Sequence, residues 1–306
     1  MKDIYPQGNL CKLTACPEPI CTVKPGQHVQ VHTLDCFGNQ LRPGDNFRDL
    51  IDKVANPVTG PIEITGAKAG DIVKVQIENI LCADSGFATC GSGFGVLGAE
   101  NFQDRLVFYR IQNGIVTGPG IDKLPVRPVV GTLGTWPEKE QPLTTEQGDY
   151  GGNLDTVQIT IGSTLYLPVS LDGAMFFIGD LHALQGAGET HGGGMECAGV
   201  VQLSFSVMPN CQWPTPLIQT DKSLITVASD ADLNKAIRTA TKRMVNMVAQ
   251  LRTIGIEEAL LYCSLLGDIG IGQLVNSHKT AVFTLPLKDV KPYIDACVKS
   301  LLRRRG

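Results

Sequence analysis

The hydrophobic pattern of the chain changes its period near residue 215, and this change limits the folds that the chain can adopt. Before that point apolar and polar residues alternate, as in residues 73–77 and 201–207. Because successive side chains on a strand point to opposite faces, each such segment predicts a β-strand with one buried face. The 34 glycines and 18 prolines supply the turns that many short strands need. Residues 1–215 are therefore predicted to form a sandwich or barrel, and we expect a β-sandwich domain that carries the functional site.

After residue 215 the pattern becomes helical. Apolar residues between positions 233 and 251 recur every three or four residues, which predicts an amphipathic helix. A second helix is predicted at residues 256–266, and strands at 224–227 and 280–285 enclose the pair. Residues 216–306 are thus predicted to form a β-α-α-β segment of the α+β type, packed on the β-sandwich, in a fold that is mainly β.

Charge and cysteine content limit the partners and the compartment. A net charge of −4 gives no reason to expect nucleic acid or an anionic membrane as a partner. The first six residues lack the apolar core of a signal peptide, and no uncharged apolar run approaches the roughly 20 residues that span a bilayer. We therefore expect a cytoplasmic protein without a membrane partner, whose ten cysteines are mostly small buried side chains. A homo-oligomer, with the homodimer as the commonest form, is the default expectation.

The densest polar cluster follows an apolar run at residues 174–178 that predicts a buried strand. If the strand continues, Asp180 and His182 point to the same face, where a carboxylate and an imidazole suit a divalent metal such as zinc. Glu189 follows a glycine-bounded turn that could return it to the pair, and Glu196 lies a few residues further on. The alternative interpretation is a glycine-rich hairpin whose polar side chains are solvated.

Acidic residues also lie outside that cluster. Alternation along the strand that Asp35 ends would place its side chain on the buried face, where it is a candidate metal ligand or orienting group. Its alternative role is to cap the turn at residues 38–39. Asn153 and Asp155 precede another alternating segment, where the default role of such residues is local turn formation.

A glycine-rich stretch at residues 93–98 formally matches the dinucleotide-binding fingerprint. That fingerprint requires a strand before it and a helix after it, whereas residues 106–109 predict a strand. The stretch is therefore interpreted as a glycine-rich loop that lines a pocket.

Several of these segments together resemble the acetamidase/formamidase family in order and spacing. The resemblance rests on residues 56–61 (NPVTGP), 70–71 (GD), 151–156 (GGNLDT), 165–169 (LYLPV), 179–189 (GDLHALQGAGE) and the segment 257–273. It covers nearly the whole chain, and the string at 179–189 is specific.

The resemblance implies a β-sandwich core with an α+β addition, and hydrolysis of formamide or acetamide to the acid and ammonia. It also implies a divalent metal at the aspartate–histidine cluster, for which zinc is the first choice and calcium the alternative. The candidate metal ligands are Asp35, Asp180, His182 and Glu196, and the candidate catalytic residues are Glu189, Asp155 and Asn153. In this mechanism Glu189 transfers protons to the leaving nitrogen.

Three positions depart from the pattern of the family. Tyr150 stands where members often have histidine, Ala187 where an acidic residue is common, and His191 where a small or cysteine side chain is usual. Two alternatives to a metal amidase stay open. One is a cysteine nucleophile, Cys36 or Cys197, although the neighbouring acids would raise the pKa of either thiol. The other is a non-catalytic, metal-binding β-sandwich that binds a small molecule.

Overall fold

Two β-sheets pack face to face in the computed structural model of the chain, which describes residues 1–51 and 53–303. In chain order the strands are β1 (Lys2–Ile4), β2 (Cys21–Val23), β3 (His28–Thr33), β4 (Val58–Ile64), β5 (Ile72–Cys82), β6 (Ser85–Cys90), β7 (Arg105–Gln112), β8 (Ile115–Gly118), β9 (Ile121–Pro125), β10 (Val129–Thr135), β11 (Gln147–Gly148), β12 (Gly151–Asn153), β13 (Thr164–Pro168), β14 (Phe176–Leu184), β15 (Met195–Cys197), β16 (Gly199–Met208), β17 (Leu217–Gln219), β18 (Ser223–Asp230), β19 (Asp268–Gln273) and β20 (Lys279–Pro286). The helices are α1 (Arg48–Ile51), α2 (Leu233–Arg252), α3 (Ile256–Leu266) and α4 (Leu287–Arg303).

The first sheet contains nine strands in the order β1-β3-β16-β5-β13-β17-β18-β20-β19. The second contains eleven, of which nine follow the order β11-β12-β10-β14-β15-β6-β7-β8-β9, while β4 pairs with β14 and β2 with β4. The core lies between the sheets, where the rings of Phe176 on β14 and Phe205 on β16 are 5.1 Å apart. The predicted mainly-β sandwich with an α+β segment is therefore confirmed.

Alternation of burial explains the strands that the sequence pattern identified. Val73, Val75 and Ile77 on β5 are buried, and the residues between them are partly exposed. Strand β16 alternates in the same way. Each of these strands has one face towards the core and the other towards solvent, so its sequence has period two.

Strands β10 and β14 behave differently because they lie in the interior. All seven residues of β10 are buried, and so are the first eight of β14. The two strands are antiparallel neighbours, with Val129 opposite His182 and Thr132 opposite Gly179. Polar side chains on these two strands are therefore held in the interior, and the functional residues lie there.

The C-terminal segment continues the first sheet instead of forming a separate one. Helices α2 and α3 and strands β18 and β20 match the predicted β-α-α-β order, while β19 and α4 were not predicted. Strand β17 pairs with β13, so the sheet runs without interruption through the point where the period changes. The division into domains at residues 215 and 216 stays a prediction, and residues 304–306 of the second segment lie outside the described residues.

Local signals account for the ends of the longest helix. The carboxylate of Asp232 accepts a hydrogen bond from the backbone N–H of Asn234 at 2.8 Å and so caps α2 at its N-terminus. Thr253 takes a left-handed conformation, with a φ of 54°, and ends the helix.

In the described part of the chain no helix combines the length and the apolar character needed to cross a membrane.

Candidate active site

Strand β14 carries Asp180 and His182, which converge as the sequence predicted. Oδ1 of Asp180 lies 3.5 Å from Nε2 of His182, and both side chains are buried. Simple alternation is not the reason, because Asp180 has a φ of 56° and departs from the extended conformation of a strand. A non-glycine residue in this region is uncommon and costs conformational energy, which is typical of functional sites.

Strand β15 brings Glu196 directly opposite His182 in the antiparallel ladder. Oε1 of Glu196 lies 3.2 Å from Nε2 of His182, whereas Oε2 is buried without a hydrogen-bond partner among the described residues. Gly194 allows this packing, since a Cβ there would lie 2.7 Å from Cγ of His182. An unpaired carboxylate oxygen in the interior is costly, and it therefore indicates a missing ligand or proton.

Asp155 reaches the same place from the end of β12. Its Oδ2 accepts a hydrogen bond from Nδ2 of Asn276 at 3.1 Å, and its buried Oδ1 has no such partner within the described residues. Asp155 also has a positive φ, of 44°. It thus contributes a second unpaired oxygen to the cluster.

Glu189 lies in the loop after β14, with a φ of 46° and a buried side chain. Its Oε1 is 4.0 Å from Nε2 of His182. The loop is held by the C-terminal segment, because Gly188 donates its N–H to the carbonyl oxygen of Gly272 at 2.7 Å. The glycine-bounded turn therefore returns Glu189 to the pair as predicted.

Gln185 fixes the orientation of the imidazole. Nδ1 of His182 lies 2.7 Å from Oε1 of Gln185, whose Nε2 donates to the backbone carbonyl of Asp155 at 2.7 Å. Since the amide nitrogen of Gln185 is already used, Nδ1 is the donor in the first of these bonds. Nε2 therefore faces the carboxylates, which is the arrangement of a metal-binding histidine whose other ring nitrogen is held by a hydrogen bond.

Asn153 belongs to a network around Asp180. Oδ1 of Asn153 accepts hydrogen bonds from the hydroxyl of Thr132 at 2.6 Å and from Nδ2 of Asn56 at 3.2 Å. The same two donors also contact Oδ2 of Asp180, at 3.2 Å for Thr132 and 2.8 Å for Asn56. Sequence analysis did not identify Thr132 or Asn56 as site residues, although Asn56 begins one of the family-like segments.

The electrostatics of the cluster favour the binding of a proton or a cation. Burial raises the pKa of Asp155 to about 7, with a further contribution from the charge of Asp180. Burial also raises the pKa of Glu196 to about 7, although the nearby imidazole acts to lower it. Burial, followed by the charge of Asp155, raises the pKa of Glu189 well above its ordinary value. Burial alone would lower the pKa of His182, but the charges of Glu196 and Asp180 raise it well above its usual range.

The residues present fit a divalent metal ion. Ligand atoms of Asp155, Asp180 and His182 lie within 4.8 Å of one another, and so do those of His182, Glu189 and Glu196. Burial raises the pKa of three of the four carboxyl groups around the imidazole, and a bound cation would stabilise their ionised forms. Carboxylate oxygens together with a histidine nitrogen are ligands of zinc, whereas calcium prefers oxygen ligands.

Asp35 is placed beside this cluster and not within it. Its Oδ1 accepts hydrogen bonds from the backbone N–H groups of Phe37 at 2.9 Å and Asn39 at 2.8 Å. These bonds correspond to the turn-capping role that the sequence left open. Among the described residues, the groups that could hold an ion do not include Asp35.

The two candidate nucleophilic cysteines are buried thiols. Burial, and then the charges of Glu196 and Asp180, raise the pKa of Cys36 well above its ordinary value. The hydrogen bond with Cys82, and then burial, raise the pKa of Cys197 in the same direction. The environment thus disfavours the thiolate that covalent catalysis needs.

A cavity of about 240 Å³ opens beside the cluster. Gly93, Phe94 and Gly95 line it, which confirms the prediction that the glycine-rich loop borders a pocket. His191 also lines it, and its Nε2 accepts a hydrogen bond from the N–H of Gly91 at 3.1 Å. Tyr150 and Ala187 are the other two positions that depart from the family pattern. The hydroxyl of Tyr150 donates to the carbonyl oxygen of Glu146 at 3.2 Å, and Ala187 is exposed.

Fold and site together define a class of protein: two stacked β-sheets with a buried centre of carboxylates around one histidine. The sequence profile of the Acetamidase/Formamidase family matches residues 17–149 and 140–265, and the chain belongs to this family. The resemblance predicted from the sequence is thereby confirmed.

Solved and curated relatives agree with this assignment. The chain is 34% identical to an acetamidase from Bacillus halodurans of known structure, with a TM-score of 0.92 over 95% of this chain and 99% of that one. It is 26% identical to the formamidase of Methylophilus methylotrophus over 250 residues, 62% of this chain and 61% of the relative. It is 25% identical to the acetamidase of Mycolicibacterium smegmatis over 256 residues, 61% of this chain and 63% of the relative. The chain therefore spans less than two thirds of the length of these two curated relatives.

Proposed function

We propose that the protein hydrolyses a short linear amide, with formamide and acetamide as reference substrates, to the carboxylic acid and ammonia. A divalent metal ion at the carboxylate–histidine centre takes part. The observation that carries the proposal is the pair of buried carboxylate oxygens without a partner among the described residues, Oδ1 of Asp155 and Oε2 of Glu196, in a cluster of four buried carboxyl groups. The names of the relatives, formamidase and acetamidase, support the choice of substrate.

The ion would be held by Asp180, His182 and Glu196, because carboxylate oxygens of Asp180 and Glu196 lie 3.5 Å and 3.2 Å from Nε2 of His182. Asp155 and Glu189 lie beside these ligands, each in one of the two groups that could hold an ion. The imidazole favours zinc, and calcium is the alternative that the many oxygen ligands allow. The chemistry that such an ion supplies is Lewis acidity towards a water molecule and an amide carbonyl. Thr132 and Asn56 are positioning residues, because they donate to the carboxylate of Asp180. Asn153 accepts from the same two donors and so helps to orient them.

Asp155 and Glu189 supply the acid–base chemistry. An amide nitrogen must gain a proton before it can leave as ammonia, and a carboxyl group with a raised pKa holds that proton near neutral pH. Burial raises the pKa of both groups. Oδ1 of Asp155, which has no hydrogen-bond partner among the described residues, faces the amide nitrogen. As a carboxylate oxygen it accepts an N–H of the amide, and after it has taken a proton from the attacking water it donates that proton to the leaving nitrogen.

Location and assembly are part of the same proposal. All ten cysteines are free thiols in the structure, which suits the reducing conditions of the cytoplasm. A homodimer stays the default expectation for the oligomeric state.

The test is ammonia release from formamide and acetamide before and after removal of metal. We expect the purified protein to release ammonia, to lose this activity after dialysis against a chelator, and to recover it when zinc is returned. Calcium is added to a parallel sample to separate the two candidate ions. Activity that survives complete metal removal would refute the metal mechanism, and a metal-containing protein without any amidase activity would support the non-catalytic alternative.

A further inference from the structure

The cavity beside the centre is larger than formamide or acetamide requires. Its volume is about 240 Å³. A water molecule occupies about 30 Å³ in the liquid, so the cavity corresponds to about eight water-sized units. The carbon, oxygen and nitrogen of an amide head group fill about three of these units. Space for about five more non-hydrogen atoms therefore remains beside the amide.

Four large apolar side chains are among the residues that line the cavity, and most of the other lining residues are polar or glycine. We call Phe37, Phe47, Ile51 and Phe94 the aromatic wall, since all four line the cavity and three are phenylalanines. Phe37 is 7% exposed and Phe47 is 2% exposed, and both belong to a local hydrophobic cluster. The rings of Phe47 and Phe94 are 5.8 Å apart. An apolar ligand group would cover this wall without a polar partner, as in most small-molecule pockets.

The aromatic wall is held in place before any ligand binds. Arg48, the first residue of α1, donates from Nη2 to Oδ1 of Asp104 at 2.6 Å and to the carbonyl oxygen of Ser92 at 2.8 Å. Its guanidinium also lies 4.8 Å from the ring centroid of Phe94. These contacts tie the glycine-rich loop to α1, which carries Ile51. A preformed surface lowers the entropic cost of binding.

The polar groups of the centre decide which end of the amide faces the wall. Among the described residues, two buried acceptors of the centre have no partner, Oδ1 of Asp155 and Oε2 of Glu196. Glu196 is a proposed ligand of the metal, so Oδ1 of Asp155 is the acceptor that suits the N–H groups of an unsubstituted amide nitrogen. Cys36 lines the cavity next to Phe37 and belongs to the same cluster as the wall. With the nitrogen at Asp155, the carbonyl substituent is the part of the molecule that is left to fill the apolar space.

We infer that the preferred substrate is a primary amide with an unbranched or aromatic apolar acyl group, whose chain of about five carbons lies on the aromatic wall. This inference rests on the proposed amidase function. It differs from that function in placing formamide and acetamide below longer amides in preference.

The test compares kcat/KM for ammonia or amine release across formamide, acetamide, butyramide and hexanamide. We expect an increase of about fourfold per methylene up to hexanamide, the factor that corresponds to burying one methylene group. N-pentylformamide, an isomer of hexanamide with the chain on nitrogen, tests the orientation. We expect it to be a poorer substrate than hexanamide by about tenfold or more, since its substituted nitrogen has one N–H fewer for the centre.

Variants of the wall connect the preference to the structure. We expect Phe94→Ala to lower the ratio of hexanamide to formamide kcat/KM by about tenfold, because the chain loses one of its contacts. Ile51→Trp fills the cavity and should lower the same ratio without removing any apolar contact. Leu97→Ala is the matched control, since Leu97 lies in the same loop as Phe94 but is 55% exposed. The control should keep the ratio of the unaltered protein.

The outcomes separate the inference from the function on which it rests. A protein that cleaves formamide but shows a flat or falling series towards hexanamide would overturn the inference and leave the amidase function standing. Preference for N-pentylformamide over hexanamide would overturn it as well. Failure to hydrolyse any of these amides would remove the proposed function itself.

Discussion

Gly131 on β10 lies behind two of the carboxylates of the centre, and its replacement by alanine is the sharpest test of their positions. A Cβ at this position would lie 2.6 Å from Oδ1 of Asp155 and 2.6 Å from Oδ2 of Asp180. The backbone of Gly131 is that of an ordinary buried strand and does not have a positive φ. Alanine is therefore compatible with the φ of this position. The closest clashes fall on the two carboxylates, and the backbone oxygen of Asp180 would lie 3.0 Å from the new Cβ.

The size of the effect follows from these distances. Unbonded carbon–oxygen contacts lie at about 3.3 Å or more, so each carboxylate must move by about 0.7 Å. Misplacement of a reacting group by about 1 Å can cost about 100-fold in rate, and we expect Gly131→Ala to lower kcat/KM for an amide by about ten- to 100-fold. Inserting a methyl group into a packed interior also costs about 1–3 kcal/mol of the free energy of unfolding.

Gly134→Ala is the control that separates these two effects. Gly134 lies on the same strand, and a Cβ there would be 2.6 Å from the carbonyl oxygen of Tyr150 and 2.8 Å from Cζ of Phe177, away from the carboxylates. Gly134→Ala should lose at least as much stability in urea titrations as Gly131→Ala, because its Cβ would clash with a backbone oxygen, yet Gly131→Ala should show the larger loss of activity and bound metal. If Gly131→Ala keeps kcat/KM and metal content within about threefold of the control, the carboxylates are not held where the mechanism needs them.

The remaining predictions concern single side chains. Asp180→Asn should weaken metal binding by about tenfold or more, measured by elemental analysis after dialysis, whereas Asp172→Asn, which removes an exposed carboxylate paired with a surface lysine, should not. Cys36→Ala and Cys197→Ala should each keep kcat/KM for formamide within about threefold, because neither buried thiol is activated; loss of activity in either one would favour a covalent mechanism. Asp155→Asn should lower kcat about 100-fold or more, since the side-chain amide of asparagine cannot hold the transferable proton. Unchanged ammonia release per bound metal would contradict the role assigned to Asp155.

The sequence predicts those parts of the fold in which each element has one buried and one exposed face. Strands β5 and β16 and helix α2 are amphipathic, so their periods are visible in the sequence. Strand β10 is buried on both faces and has no alternation, and the sequence pattern did not identify it. Strand β19 contains two glycines in six residues, and α4 contains Pro292, so each lacks the ordinary signal of its type.

The candidate site was predictable only where its residues are close in the sequence. Asp180, His182 and Glu189 lie within ten positions, and local geometry was enough to group them. Asn56 and Thr132 reach Asp180 through the pairing of β10 and the approach of the segment before β4. No local pattern contains that information, because sheet pairing between distant segments decides which side chains meet. For Asp35, the sequence left a ligand role and a turn role open, and its hydrogen bonds in the structure are those of the turn role.

The C-terminal segment contributes to the site as well as to the sheet, which gives it a role that its helical period does not reveal. Gln273 is fully buried, and its Oε1 accepts hydrogen bonds from the N–H groups of Val275 at 2.8 Å and Asn276 at 2.9 Å. These bonds shape the loop between β19 and β20, from which Asn276 donates to Asp155. The same region holds the loop of Glu189 through its backbone bond with Gly188. Both residues assigned to proton transfer are thus positioned by contacts from beyond residue 215, so the first 215 residues alone would lack the support that keeps these two carboxyl groups beside the amide.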